Sequence, residues 1–202
     1  MASRLTVSVM PRPIPRLAET PRPFLPFLNP IEGDHWIEPL HDGTPVLIRT
    51  LRADDREREE AFLARLSPQA RRMRFLENFN QVNATLVDAL MDTDGHSRVA
   101  FVALIHEGGS LREIGISRYS AEDGGRRCEC AVTVADDWQG QGLGVLLMRH
   151  LIDTARRHGF AQMFSIDAAE NQPMRDLAGY LGFHCRLDPQ DHTQVIYTLD
   201  LR

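Results

Sequence analysis

The sequence has little of several features that mark specialised classes of protein. Only 3 of its 202 residues are cysteine, too few for the disulfide framework of a small secreted domain. The formal net charge is −5 at pH 7, so the basic excess that neutralises nucleic-acid phosphates is missing. The longest apolar run, "VAFVALI" at 99–105, is far shorter than the roughly 20 residues that span a bilayer. We therefore expect a cytoplasmic protein with neither nucleic acid nor membrane among its partners.

Proline is scarce after the first quarter of the chain, since most of the 12 prolines lie within the first 45 residues. Proline lacks an amide donor and clashes with the preceding helical turn, so this region cannot form a regular helix. We predict an extended N-terminal arm over 1–42 and one domain over 43–202. The arm carries apolar side chains: Phe24, Leu25, Phe27, Leu28 and Trp36. They favour packing of the arm on the domain or on a partner subunit, which leaves a homodimer open.

From Gly43 onward, segments typical of strands alternate with segments typical of helices. Strands are expected in "PVLIRTLR", "RVAFVALIHE", "LREIGISRYS", "RRCECAVTVA", "QMFSIDAA" and "TQVIYTLDL". Helices are expected in "DDREREEAFLARLS", "SPQARRMRFL", "NATLVDALMD", "GVLLMRHLIDTARRHG" and "QPMRDLAGYLG". This order predicts a mixed α/β sheet flanked by helices, in a single domain.

A glycine-rich stretch, "WQGQGLG" at 138–144, separates a predicted strand from a predicted helix. A P-loop requires Lys-Ser or Lys-Thr after its last glycine, where this chain has Val145 and Leu146. A dinucleotide-binding fingerprint has the spacing G-x-G-x-x-G directly after a strand, whereas this stretch has the spacing G-x-G-x-G. Unpaired amides at a helix start favour an anion, so Gln-x-x-Gly-x-Gly could hold a pyrophosphate. The alternative is a turn that only lets the strand and the helix pack closely.

Longer segments resemble a known superfamily. The stretch "VTVADDWQGQGLGVLLMRHLIDTARRHG" at 132–159 resembles the acetyl-CoA signature of the GNAT N-acyltransferases, and "LGF" at 181–183 is similar to the end of the same fold. Three segments resemble the GNAT domain of bacterial Pat-type protein-lysine acetyltransferases: "LSPQARRMRF" (66–75), "CECAVTVADDWQGQGLG" (128–144) and "NQPMRDLAGYLGF" (171–183).

The resemblance implies a GNAT fold, whose mixed sheet is splayed between its fourth and fifth predicted strands, with acetyl-CoA in the gap as cosubstrate. The pantetheine arm would pair like an added strand with the backbone of Val132, Thr133 and Val134. The pyrophosphate would bind the amides of Gln139, Gly140, Gln141, Gly142, Leu143 and Gly144. Asn171 would contact the coenzyme near its pantetheine or thioester end. No metal is expected.

The acceptor amine must lose a proton before it attacks, because a lysine amine has a pKa of about 10.4. The resemblance implies that Glu129 is the general base. Strand alternation puts Glu129 on the face opposite Cys128 and Cys130. We expect burial beside apolar neighbours to raise the pKa of its carboxyl. The alternative is a carboxylate on the sheet surface, paired with a neighbouring arginine.

The sequence departs from the family at one place. Many GNAT enzymes have a tyrosine on the last helix that protonates the leaving thiolate, and this chain has Ala178 there. The favoured function is an N-acetyltransferase acting on a primary amine, with a protein lysine as one candidate acceptor. A small-molecule amine acetyltransferase and a non-catalytic acyl-CoA sensor are the alternatives.

Overall fold

A computed structural model describes residues 34–75, 83–122 and 124–202, except for the side chain of Phe75. The predicted arm up to residue 33 lies outside these residues. The strands are β1 His35–Pro39, β2 Pro45–Thr50, β3 Arg98–Glu107, β4 Ser110–Ala121, β5 Arg127–Val134, β6 Gln162–Ala168, β7 His184–Leu187 and β8 Gln194–Asp200. The α-helices are α1 Arg56–Arg65, α2 Pro68–Phe75, α3 Ala84–Met91, α4 Leu143–Arg157 and α5 Gln172–Leu181.

The strands form one mixed sheet in the order β1-β2-β3-β4-β5-β6-β8-β7. All neighbours are antiparallel except β5 and β6, which are parallel. That parallel pairing holds at only three positions, from Arg127↔Gln162 to Glu129↔Phe164. Beyond these positions β5 continues to Val134 and β6 to Ala168, but the two strands no longer pair with each other. The expected fold class, with a sheet splayed between the fourth and fifth predicted strands, is thus confirmed.

Helix α4 packs against the strands on one side of the splay, and this packing fixes the position of its first turn. Leu147 and Leu151 are completely buried. Gly115 of β4 allows this close packing, because a Cβ there would lie 3.1 Å from Leu143 Cδ2 and 3.1 Å from Leu147 Cδ1. The first turn of α4 therefore cannot move away from the sheet without losing core contacts.

Two strands of the structure are missing from the sequence prediction. β1 pairs with β2 along its whole length, so the sheet begins at His35, N-terminal to the boundary predicted at residue 43. Trp36 of β1 stacks on His150 of α4, with ring centroids 3.8 Å apart. β7 is an edge strand whose four residues are all exposed, so it has no alternation of apolar and polar residues to reveal it. No helix in the described part of the chain is long and apolar enough to cross a membrane.

Candidate functional site

A cleft of about 890 Å³ opens where β5 and β6 separate. It is lined by β5, the glycine loop, β6 and the helices α2 and α5. The volume falls within the range typical of small-molecule sites. Two parts of the lining differ in chemistry. We call Val132–Val134 together with Gln139–Gly144 the glycine-loop half, and Arg74, Glu129 and Asp167 the charged half.

The glycine loop presents backbone amides at the start of α4. Gly140 and Gly142 have φ values of +73° and +87°, a region that glycine adopts without steric cost. The first helical hydrogen bond is donated by the amide of Val145 to the carbonyl of Gly142. In the described part of the chain, the amides from Gln141 to Gly144 donate to no protein acceptor. Such amides and the helix dipole together favour an anion.

Packing also needs two of these glycines. A Cβ on Gly142 would lie 2.7 Å from Nε2 of His41, and one on Gly144 would lie 3.3 Å from Cδ2 of Leu177. The carbonyl of Gln141 accepts a hydrogen bond from the amide of His41, and Gln141 is the loop residue that does not line the cleft. Close packing and anion binding, the two interpretations of the loop, are therefore compatible.

The end of β5 offers an unpaired edge to the cleft. Val132, Thr133 and Val134 pair with β4 on one side, and β6 has already diverged on the other. The carbonyl of Val134 accepts a long, 3.4 Å hydrogen bond from Nε2 of Gln139. The buried hydroxyl of Thr133 has no hydrogen-bond partner among the described residues. An extended ligand with amide groups could add to this edge as a strand does.

In the charged half, Glu129 differs in its burial from what the sequence predicts. Glu129 lines the cleft, and Cys128 and Cys130 are buried, as alternation predicts. The expected burial of Glu129 is wrong, because its side chain is exposed. The backbone of Glu129 is the last position of β5 that pairs with β6, and its side chain lies at the cleft, which is open to solvent there.

Arg74 of α2 brings a positive charge to the same place. Burial, followed by the nearby charge of Arg118, lowers the pKa of the Arg74 guanidinium to about 10, while Glu59, Glu129 and Asp167 act in the opposite direction. Arg74 therefore stays protonated at neutral pH.

Asp167 of β6, which was not predicted as a site residue, lines the cleft and is only 9% exposed. Burial raises the pKa of its carboxyl to about 6, against the lowering effect of a hydrogen bond from Asn171. Asn171 Nδ2 donates to Asp167 Oδ1 at 2.9 Å, and Asn171 Oδ1 accepts from the amide of Met174 as the N-cap of α5. One amide hydrogen of Asn171 is left for a ligand. A lone carboxylate in the apolar segment "QMFSIDAA" was the available signal, because aspartate is rarely buried without a partner.

Helix α2 is tied across the splay at both ends. Ser67 Oγ donates to Asp136 Oδ1 at 2.7 Å, which joins the start of α2 to the end of β5. Arg72 forms an ion pair with Glu170 beyond the end of β6. These contacts hold α2 at the cleft, which Ala70 and Arg74 of that helix line.

Helix α5 provides no acid at the place where many GNAT enzymes have a tyrosine. Ala178 is buried in the core. Tyr180 lines the outer part of the cleft, and its hydroxyl accepts a hydrogen bond from Arg149. Among the described residues, no group of three or more His, Cys, Asp or Glu side chains is placed to hold a metal ion.

The chain is similar in sequence to known acetyltransferases. Residues 53–183 match the Acetyltransferase (GNAT) family. Acetyltransferase PA5475 of Pseudomonas aeruginosa is 58% identical over 173 residues, which cover 85% of this chain and 92% of that protein. The chain belongs to the GNAT acetyltransferase family and is an acyltransferase.

Solved structures share the fold. The GNAT domain of S. lividans PAT matches with a TM-score of 0.74 and 24% identity, over 82% of this chain and 96% of that one. A cAMP-binding acyltransferase from Mycobacterium smegmatis matches with a TM-score of 0.58 and 22% identity, over 84% of this chain and 48% of that one.

Proposed function

We propose that this acetyltransferase transfers the acetyl group of acetyl-CoA to a primary amine. The observation that carries the proposal is the unpaired edge of β5, which leads to a helix start with unpaired amides. A coenzyme with an amide-containing arm and a pyrophosphate needs both features. In this arrangement Val132–Val134 pair with the arm, and the amides of the glycine loop bind the pyrophosphate. The remaining amide hydrogen of Asn171 binds a carbonyl of the arm.

Glu129 is the proposed general base. Its exposed carboxylate lines the cleft beside the unpaired edge of β5 and accepts a proton from the ammonium form of the acceptor, directly or through a water. The neutral amine then attacks the thioester carbonyl, so a C–N bond forms and the C–S bond breaks. The sulfur leaves as a thiolate, which a thiol pKa near 8.5 makes tolerable without an acid at Ala178. The nitrogen loses its second proton to that thiolate or to solvent as the amide forms.

The charges of the cleft favour a cationic acceptor. The lining has one guanidinium, that of Arg74, and five carboxylates: Glu129, Asp136, Asp167, Glu170 and Asp176. An acceptor amine that arrives protonated is attracted by the carboxylates of the charged half, whereas an acceptor that carries a carboxylate or phosphate is repelled there; the pyrophosphate of the coenzyme binds the amides of the other half. We propose an alkylamine as the acceptor, either a lysine side chain or a small cationic molecule.

The test is a thiol-release assay with acetyl-CoA and three matched sets of acceptors: lysine-containing peptides, small alkyl polyamines, and amines that carry a carboxylate or phosphate. We expect release with at least one of the first two sets, identified by the acetylated product, and little with the third. Preference for the anionic set would refute the cationic acceptor, and the absence of release with every amine would refute the transfer reaction. The cytoplasmic location and the homodimer stay predictions.

A further inference from the structure

The second proton of the acceptor nitrogen needs a destination within the cleft. The first proton goes to Glu129, and the second leaves as the amide forms, while the sulfur of the coenzyme must gain one. The place where many GNAT enzymes have a tyrosine holds Ala178, which is buried in the core and whose methyl group cannot carry a proton. The cleft lining contains another carboxyl on the strand opposite Glu129, that of Asp167 on β6.

Asp167 lies across the opening of the sheet from the edge that is proposed to hold the coenzyme arm. The last paired residues of the parallel strands are Glu129 and Phe164, and Val132 and Asp167 each come three residues later. These two residues are therefore at similar heights, roughly 10 Å past the last pair. The glycine loop follows Val134 in the chain. An arm that runs from that loop along β5 thus has its thioester end toward Glu129, near the height of Asp167.

The Asp167 carboxyl is held in place and largely shielded from bulk water. It is 9% exposed, and its Oδ1 accepts a hydrogen bond from Asn171 Nδ2 at 2.9 Å. Arg74 of α2 is the cation whose charge acts on it. Burial, followed by the charges of Cys185 and Asp167, raises the pKa of Tyr197 on the neighbouring strand β8, so that hydroxyl stays protonated at neutral pH. Of Arg74, Tyr197 and Asp167, it is Asp167 that gains and loses a proton near neutral pH.

The acidity of Asp167 lies between those of the two groups that exchange the proton. Burial raises the pKa of its carboxyl to about 6, so the carboxylate predominates at pH 7 and can accept a proton. An amide nitrogen that still carries its extra proton is a strong acid and gives that proton up readily. A thiol has a pKa near 8.5, so a thiolate takes a proton from a carboxyl of lower pKa. Both transfers are therefore favourable.

We propose that Asp167 is a second catalytic residue, which carries a proton from the acceptor nitrogen to the sulfur of the coenzyme. After the amine has attacked the thioester carbonyl and the C–N bond has formed, Asp167 accepts the N–H proton. The C–S bond breaks with its electron pair on sulfur, and the Asp167 carboxyl donates the proton to that thiolate. The products are the amide and the thiol, and the carboxylate is restored.

The proposal rests on the proposed acetyl transfer and gives the two carboxylates separate tasks. Glu129 is exposed, so it can pass the first proton to water and return to its ionised form. Asp167 is buried, so the second proton stays in the cleft until the sulfur accepts it. A pair of carboxyl groups in such different environments is typical of sites where each group has its own acid–base role.

Asp167→Asn tests the assignment, because asparagine keeps an oxygen that can accept from Asn171 but cannot carry the proton. We expect the single-turnover rate of acetyl transfer to fall by about 10²-fold, while the Kd for acetyl-CoA and the KM for the amine stay nearly unchanged. The matched control is Asp200→Asn, which changes an exposed carboxylate on β8 outside the cleft lining and should leave the rate unchanged. Thermal unfolding confirms that both variants are folded.

The selenium analogue of acetyl-CoA distinguishes proton transfer from positioning. A selenol is a stronger acid than a thiol, so its anion leaves without a proton, and Asp167→Asn should lose much less rate with this donor. An equal loss with both donors, or a raised KM for the amine at an unchanged rate, would overturn the proposal. An unchanged rate and KM would overturn it too and leave the proposed function intact. The absence of acetyl transfer by the unaltered protein to any amine would overturn both.

Discussion

The two halves of the cleft are built in different ways. The glycine-loop half comes from two nearby stretches of chain, at the end of β5 and the start of α4, and presents backbone groups. The charged half combines side chains from α2, β5 and β6, which are distant in sequence. A backbone site tolerates many side chains but requires glycine at particular positions, whereas a side-chain site depends on the identity of each residue. Substitutions should therefore separate coenzyme binding from catalysis.

The two halves also differ in their electrostatic cost. The amides of the glycine loop lie at the cleft surface, where water can bind them when no ligand is present. In the charged half, burial raises the pKa of Asp167 and lowers the pKa of Arg74. Both shifts mean that the folded state holds the charged forms less favourably than water does. The charged half is therefore the part of the cleft whose construction lowers stability.

The largest expected effect is a loss of kcat from a change at Glu129 in the charged half. Glu129→Gln keeps the shape of the side chain and removes the proton acceptor, so kcat should fall by roughly 10²–10⁴-fold. The Kd for acetyl-CoA should stay unchanged, because the coenzyme is held by the other half. Raising the pH should partly restore the rate, since more of the acceptor is then neutral. Steady-state kinetics and calorimetry measure both quantities.

The control for this variant is Glu107→Gln, which changes an exposed carboxylate outside the cleft lining and should leave kcat unchanged. If Glu129→Gln turns over as fast as the unaltered protein at pH 7, Glu129 is not the base and the assignment of catalysis to the charged half fails.

The next effect concerns stability. The pKa of Asp167 is about 6 in the folded protein and 3.8 in its ordinary state, so between pH 4 and pH 6 the folded state binds more protons than the unfolded state. Stability then falls as the pH rises through this window. Asp167→Asn removes this loss, and its free energy of unfolding relative to the unaltered protein should rise by up to about 3 kcal/mol between pH 4 and pH 7.

Urea unfolding at a series of pH values measures this difference. Asp176→Asn is the matched control, because it removes a carboxylate of the same cleft at an exposed position. If the difference in free energy of unfolding between Asp167→Asn and the unaltered protein does not change with pH, burial of the Asp167 charge does not lower stability.

A third change acts on the glycine-loop half. In Gly144→Val the added methyl groups crowd Leu177 and Val134 at the cleft, so the Kd for acetyl-CoA should rise by about tenfold or more with little change in kcat at saturation. Gly142→Val is less informative, because a φ of +87° and the contact with His41 strain the backbone in any case. Gly179→Val, where a Cβ would have open space, is the control. Normal affinity of folded Gly144→Val would contradict a close approach of the coenzyme here.

The smallest effect is expected from the contact between α2 and the end of β6. Arg72 and Glu170 are both exposed, and an exposed ion pair contributes about 0–1 kcal/mol. Arg72→Gln should therefore lower the free energy of unfolding by less than about 1 kcal/mol, while the KM for the amine changes only slightly. Thermal unfolding and steady-state kinetics measure the two quantities. A loss above about 2 kcal/mol would show that the pair belongs to a larger network than its exposure indicates.

Sequence patterns predicted the fold where the signal is local. The helical segment that became α4 and the glycines after β5 are readable, because each depends on neighbours a few residues away. β1 was missed because it follows a proline-dense segment, and β7 because its residues are all exposed.

Consecutive residues were enough to identify the glycine loop and to put Glu129 on the strand face opposite Cys128 and Cys130, since helix starts and strand alternation are local. The packing of distant segments sets the exposure of Glu129, the burial of Asp167 and the position of Arg74 near both. This is because exposure and pKa depend on what covers a side chain, and here the cover depends on the helices that line the cleft and on the point where β5 and β6 separate. That point results from how distant strands and helices pack, which no short stretch of sequence specifies.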